Sequence, residues 1–315
     1  MAKLILQRLA LGVLTLWVVS VLIFAGTEIL PGDVATAILG QSRTPEAVAA
    51  IRASLGLNRP AYVRYASWLG QFVEGDIGKS LANDRDIAPE IRERLGNTLF
   101  LAGVAAAVAV PLSILLGLLA AMRPNSIFDR LINAVTLTTI SVPEFFIGYV
   151  LIIVFAVRLD WFPSLAMISE DMGFWDRLNA VALPALTLVL VVLAHMMRQT
   201  RAAVLSVLSS PFIEMAFLKG IPKWRIVLQH AVPNALAPIV NVVAINLAYL
   251  IVGVVVVEVV FVYPGMGQLM VDSVSKRDVP VVQTCGLVFA LAYVGLNMIA
   301  DLLGILSNPR LRHPR

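Results

Sequence analysis

Charge is scarce in this sequence. Asp, Glu, Lys and Arg make up 14% of its 315 residues and apolar residues 59%, where a water-soluble domain carries about 25% charged and about 45–50% apolar residues. So few charges cannot cover so much apolar surface in water, and a mean hydropathy of +0.87 points to the bilayer as solvent. Cysteine is nearly absent as well. Cys285 stands alone in an apolar stretch, which excludes an intrachain disulfide and a thiolate metal centre. His195, His230 and His313 lie far apart without ligand spacing, and His195 reads as a polar spot near a helix end rather than a ligand. A nucleotide-binding loop is also lacking. Gly78-Lys79-Ser80 has the ending of one, but the first glycine would have to fall where Val73 stands, and a strand would have to precede it. No serine–histidine–carboxylate arrangement occurs. The expectation is a protein that is not an enzyme, with no catalytic, cofactor or metal-binding residues. The pI near 9.4 does not imply nucleic acid, because the basic residues sit in short segments between apolar runs, as in membrane proteins.

What the sequence does have is six uncharged runs of roughly the 20 residues that a bilayer crossing needs. They are Leu9–Thr27, Leu99–Met122, Leu131–Val157 (interrupted by Glu144), Ala180–Met197, Ala235–Val257 and Val279–Ala300, the last continuing past Asp301 to Leu306. Pro111, Pro143, Pro184 and Pro238 fall inside them, which a bundle tolerates because neighbouring helices satisfy the freed carbonyls. The first run exceeds a signal-peptide core and ends in Leu30-Pro31-Gly32-Asp33, not a small-residue cleavage site, so it reads as a retained helix. The predicted organisation is an N-terminal transmembrane helix over 1–30, an extracytoplasmic loop over 31–98, and a five-helix core over 99–315 carrying a cytoplasmic loop over 198–234. Orientation follows the basic residues of the short loops. With both termini inside, Lys3, Arg8, Arg123, Arg130, Arg198, Arg201, Lys219, Lys223, Arg225, Arg310, Arg312 and Arg315 are cytoplasmic, against Arg158, Arg177, Lys276 and Arg277 in the short outer loops.

The long outer loop predicts two helices. One runs from Pro45 to Leu55, with Thr44 as N-cap and Gly56 as stop. The other covers Tyr62 to Phe72, with Tyr62, Tyr65, Trp68 and Leu69 near one face. They form either a small cap on the outer membrane surface, the reading the sequence favours, or a docking surface for an outer partner. The inner loop Arg198–Asn234 has far more residues than a turn needs. Ser210-Pro211 can start a helix, Phe212, Ile213, Ala216 and Phe217 fall on one face, Gly220 can stop it, and Pro222 can begin another. Two short helices along the cytoplasmic surface are expected.

Glu214-Met215-Ala216, three residues, Gly220, nine residues, then His230-Ala231-Val232-Pro233 resembles the signature of binding-protein-dependent ABC importer permeases, which reads Glu-Ala-Ala, three residues, Gly, nine residues, Ile-x-Leu-Pro. Met215, His230 and Val232 depart from it without changing its register. Leu30-Pro31-Gly32-Asp33, Leu55-Gly56-Leu57 with Pro60, Gly75-Asp76-Ile77-Gly78 with Ser80, Phe261-Val262-Tyr263-Pro264-Gly265-Met266-Gly267, Asp272 with Arg277-Asp278-Val279-Pro280, and Asn308-Pro309-Arg310 are similar to the dipeptide/oligopeptide type. The resemblance covers nearly the whole chain. It implies an all-α polytopic bundle of about six transmembrane helices in a bacterial inner membrane, of the type I ABC importer permease kind. It also implies a second homologous permease subunit, two ATP-binding subunits inside and a solute-binding protein outside. Phe212 to Lys223 would be the coupling helix, with Phe212, Glu214, Ala216, Phe217, Gly220 and Pro233 as its marked residues. Glu214 either stabilises the helix start or meets a basic partner. The implied cargo is peptide first, with opines, nickel complexes, glutathione and oligosaccharides open.

Four ionisable residues stand in or near the runs. Glu28 and Glu258 lie near outer ends, where they can snorkel. Glu144 and Asp301, with Asn297 one turn before Asp301, are candidates for a pathway or for helix packing. A transporter driven by an ion gradient through Glu144 and Asp301 is the rival reading. The stretch Gly103 to Gly117 is small and apolar, suited to close helix packing.

Overall fold

Long apolar runs with few breakers become long helices. The computed structural model describes residues 2–29, 34–39, 44–169 and 171–307. The motifs Leu30-Pro31-Gly32-Asp33 and Asn308-Pro309-Arg310, with Arg312, His313 and Arg315, lie outside the described residues. The elements are α1 (Ala2–Ile29), α2 (Val34–Leu39), α3 (Pro45–Ser54), α4 (Ala61–Glu74), α5 (Ile87–Met122), α6 (Ile127–Ser141), α7 (Glu144–Leu151), α8 (Phe174–Ala180), α9 (Ala182–Leu208), α10 (Pro211–Leu218), α11 (Lys223–Arg225), α12 (Val232–Val260), α13 (Met266–Lys276) and α14 (Val279–Ser307). Wider π-helical turns, Ile152–Arg158 and Ile226–Ala231, extend α7 and join α11 to α12. Among the described residues there is no strand, only an isolated bridge between Lys79 and Asp86. The chain is an all-α, multi-pass membrane protein.

Among the described residues, five helices are long and apolar enough to cross a bilayer: Ile5–Ile29, Ile87–Met122, Ala182–Leu208, Lys223–Val260 and Val279–Leu302. The sixth predicted span is not straight. It is the pair α6 and α7, bent by 103°. Proline disfavours helical geometry in the residue before it, and Val142, before Pro143, is extended at φ −95° and ψ 132°. The second short helix expected after Pro222 is likewise not separate, because α11 and its π turn run on into α12 as one 38-residue span. Pro233 explains the wide turn. It has no N–H and its ring crowds the carbonyl four residues earlier, so the backbone opens just before it.

Contacts divide the chain into two units, one drawn from Met1–Ala10, Leu99–Tyr263 and Ala292–Arg315, the other from Leu11–Thr98 and Pro264–Leu291. In the first, α9 is the central element. Its Leu183, Leu188, Val189, Val192 and Met196 join Leu101 and Ala105 of α5 and Leu250, Val254 and Val257 of α12 in one buried cluster. Close backbone approach draws on small residues. A β-carbon on Gly117 would lie 2.9 Å from Thr200 Cβ and 3.0 Å from the Met197 carbonyl, so α5 and α9 touch where only glycine fits.

In the second unit, Ile87, Ile91, Met266, Leu269, Val281 and Cys285 form the core. The two helices expected between residues 31 and 98 appear where the sequence places them: the Thr44 hydroxyl accepts the Ala47 N–H at 3.2 Å, and Gly56 follows α3 with φ +65°. Tyr65 and Trp68 of α4 pack around Phe24 of α1, with ring centres 5.5 and 6.1 Å away. Tyr62 does not share that face and is 75% exposed. Gly75-Asp76-Ile77-Gly78 with Ser80, and Arg277-Asp278, were separate motifs in the sequence. They meet here: the Ser80 hydroxyl donates to the Asp278 carboxylate, which also accepts the Leu81 N–H at 3.0 Å. Ser80 is thus committed to a clasp that fastens the loop before α5 to the start of α14.

Candidate functional site

The segment after α9 carries the densest set of predicted site residues. Ser210 caps α10 in extended conformation and Pro211 opens it, where a missing N–H is harmless. The helix is short and apolar, and it buries only Ile213 and Ala216. These pack with Ile226 and Ala231 of the following turn, together with Val207, Leu208 and Ile221. Phe212 and Phe217 were expected on that same face and are not buried by it. They flank it and remain 48% and 46% exposed, with Met215 at 55% and Leu218 at 76%. Five residues of spacing turn Phe212 and Phe217 to opposite shoulders of a face only wide enough for Ile213 and Ala216. Glu214 is exposed in the first turn, where a carboxylate favours the helix dipole, and no described side chain pairs with it.

Gly220 ends α10 by a specific device. Its N–H donates to the Phe217 carbonyl at 2.9 Å and the Ile221 N–H to the Ala216 carbonyl at 3.3 Å, the paired bonds of a left-handed helix stop. Gly220 has φ +73°, and a β-carbon there would meet nothing within 4 Å. The requirement for glycine is therefore conformational, not steric. Ile221 then packs back on the cluster around Ile213, so the turn is fixed from both sides. Pro233 is exposed and lies just beyond the π turn it causes.

The ionisable residues of the spans separate. Asp301 meets Arg8 of α1 at 2.8 Å, a contact between helices. Asn297 turns back to the Tyr293 carbonyl of its own helix at 2.9 Å. Glu144 opens α7 at the bend of the broken span, and its two carboxylate oxygens lie 3.2 and 3.3 Å from where a β-carbon on Gly253 would stand. Glu28 does not snorkel freely but accepts from Arg64 at 2.6 Å. Glu258 does not reach the surface at all, being fully buried in α12. A snorkelling side chain needs an outward-facing position, and Glu258 lies instead on the face of α12 that carries the buried Val254 and Val257.

One pair escaped the sequence reading. Asp129, 2% exposed, accepts both Arg201 Nε at 2.6 Å and Arg201 Nη2 at 2.8 Å. The Asn125 N–H at 2.9 Å and Asn133 Nδ2 at 2.8 Å complete its shell. A bidentate charge-assisted pair with every lone pair used is the strong form of an ion pair, and it fastens the start of α6 to α9 seven residues before α9 ends at Leu208. The sequence shows Arg201 only as one of the basic residues of a short loop. The pair's separation of 72 positions leaves no local signal.

Residues 113–313 match the family of binding-protein-dependent transport system inner membrane components, and residues 1–102 match the N-terminal part of such membrane components. A protein of Brucella abortus (strain 2308) named a peptide transport system permease protein is 34% identical over 316 residues, covering 99% of this chain and 100% of the relative. A similarly named protein of Brucella melitensis biotype 1 is 34% identical, covering 99% of each chain. The glutathione transport system permease protein of Escherichia coli (strain K12) is 36% identical over 313 residues, covering 99% of this chain and 100% of the relative.

Proposed function

The chain belongs to the binding-protein-dependent transport system inner membrane components, and on that premise we propose that it forms one half of the translocation pathway of an ATP-driven peptide importer. It is a permease subunit, not an enzyme. In this reading a second, related permease completes the pathway, two ATP-binding subunits dock on the cytoplasmic side, and a solute-binding protein delivers cargo from outside. Peptides are the cargo because the relatives are named for peptide and for glutathione, which is itself a small peptide.

The observation that carries the reading is α10. An eight-residue helix that anchors itself through Ile213 and Ala216 and leaves Phe212, Met215, Phe217 and Leu218 exposed holds more apolar surface than a water-facing loop should. A short helix laid in a partner's groove is a recurrent recognition mode. Phe212 and Phe217 are the proposed inserting side chains, and Glu214 is the polar contact for a basic partner. Ala216 seats the helix on its own chain, Gly220 sets its angle, and Pro233 shapes the turn into α12. Force on α10 then passes to α9 and α12. Glu144, at the break in the sixth span, is the proposed pathway residue, since interrupted spans are where transporters place polar groups. Asn297 and Asp301 serve packing.

Uptake of a labelled peptide by proteoliposomes holding the assembled importer should require ATP and the binding protein, and should persist when ion gradients are dissipated by ionophores. Uptake that follows an ion gradient without ATP would restore the rival reading. Orientation is tested separately. A reporter fused after Lys219 should read cytoplasm and one after Gly75 the outside, as the basic bias of the short loops requires. Gly75 on the inside would refute the topology.

A further inference from the structure

In the second unit, the outer end of α1, the α3–α4 turn and the first turn of α14 enclose a cavity of about 570 Å³. Arg52, Arg59 and Arg64 line it against one lining carboxylate, Glu28, with Trp68 and Gln283. Glu28 is committed to Arg64 Nη2 at 2.6 Å, and the buried Arg64 Nε has no acceptor among the described residues. Arg59 is exposed and held by a turn built for it. Gly56 takes φ +65° and accepts the Arg59 N–H at 3.0 Å, and the Arg59 side chain folds back within 3.8 Å of where a Gly56 β-carbon would be. The Leu55-Gly56-Leu57 motif, which the transport function leaves unexplained, therefore presents a guanidinium to the cavity.

The depth of the cavity is defined by the spans beside it. Glu28 lies one residue before the Ile5–Ile29 span ends, and Val279, also in the lining, is the first residue of the Val279–Leu302 span. That is the level of lipid headgroups. Trp68 lines the cavity, as interfacial aromatics do, and the face of α1 in line with Glu28 exposes Val21, Trp17 and Leu14 at 36%, 54% and 52%, an apolar track at helical spacing running from the cavity into the hydrocarbon. The geometry points to a binding site for the headgroup of an anionic phospholipid, its phosphate taken by Arg59 and Arg64 and an acyl chain lying along α1. Guanidinium groups suit phosphate oxygens by geometry as well as charge.

The test uses the delipidated full-length importer in detergent, with native mass spectrometry and thermal unfolding as readouts. Phosphatidylglycerol should bind and raise the unfolding temperature more than phosphatidylcholine of the same chain length. Arg59→Gln should lower phosphatidylglycerol occupancy at least fivefold, while Arg92→Gln, an exposed arginine of α5 outside the cavity, should leave it unchanged. Glu28→Gln should hold or raise occupancy, because it removes the competing carboxylate. Equal occupancy in wild type and Arg59→Gln overturns the site. Equal stabilisation by glycerol 3-phosphate overturns the lipid assignment in favour of a soluble anion.

Discussion

Gly220→Val is expected to lower peptide uptake by more than tenfold and to strip the ATP-binding subunits from the complex, while the chain still inserts and keeps its permease partner. The cause is confined to one torsion. Gly220 sits at φ +73° with open space around its missing β-carbon, so valine meets no neighbour. It meets only the backbone penalty for a left-handed conformation, about 1–2 kcal/mol for an ordinary residue and more for a β-branched one. The least costly escape is to abandon the turn. That breaks the Gly220–Phe217 and Ile221–Ala216 bonds, withdraws Ile221 from the cluster under α10, and re-aims Phe212 and Phe217. The spans are held elsewhere, by the cluster running from Leu101 to Val257, and should not feel it. Asparagine accepts left-handed geometry better than other residues with a side chain, so Gly220→Asn should retain most coupling. The measurement pairs co-purification of the ATP-binding subunits with vesicle uptake. If Gly220→Val matches wild type in both, α10 is an ordinary connector and its proposed role fails.

The sequence made the helical, membrane-spanning character legible because the signal is collective: a run of apolar residues such as Leu99–Met122 needs no partner to declare itself. The turn at Gly220 was also legible, since glycine after an apolar helix and proline two residues later are local signals. Other features were not. The break at Pro143 looked like a tolerated kink, because proline within a span is compatible both with a mild bend and with a 103° one, and tertiary contacts decide between them. The buried stripe of α10 is one residue narrower on each side than its apolar spacing implies, since Phe212 and Phe217 stay exposed. Periodicity says which residues share a hemisphere, but only the neighbours Ile226 and Ala231 fix how much of it is covered. The Ser80–Asp278 clasp joins residues 198 positions apart, and the motifs at its two ends gave no hint that they were one feature.

Arg201→Ala should be the most destabilising single change within the core. It leaves Asp129, 2% exposed, with a buried charge that Asn125 and Asn133 alone must satisfy, and removing one partner of a buried pair costs about 3–5 kcal/mol. Asp129→Asn should cost less, since the amide keeps an acceptor for one Arg201 donor and Arg201, with a side chain 23% exposed, can recover water. The order of effects distinguishes a structural clamp from an accidental surface pair, which would be worth about 0–1 kcal/mol from either side. Thermal unfolding of the detergent-solubilised importer, followed by loss of the monodisperse elution peak, gives the comparison. Asp129→Ala with Arg201→Ala should fall well short of the sum of the two single losses, because the double variant leaves no uncompensated charge. Additive losses would mean that the two residues act independently. The pair also ties α6 to the part of α9 that leads into α10, about 10 Å of helix from its end at Leu208. A variant that survives at low temperature should therefore bind ATP-binding subunits yet transport poorly per ATP hydrolysed, because movement of α10 would reach α9 without being passed to α6 and the broken span beyond it. Wild-type transport per ATP in such a variant would confine the pair to stability alone.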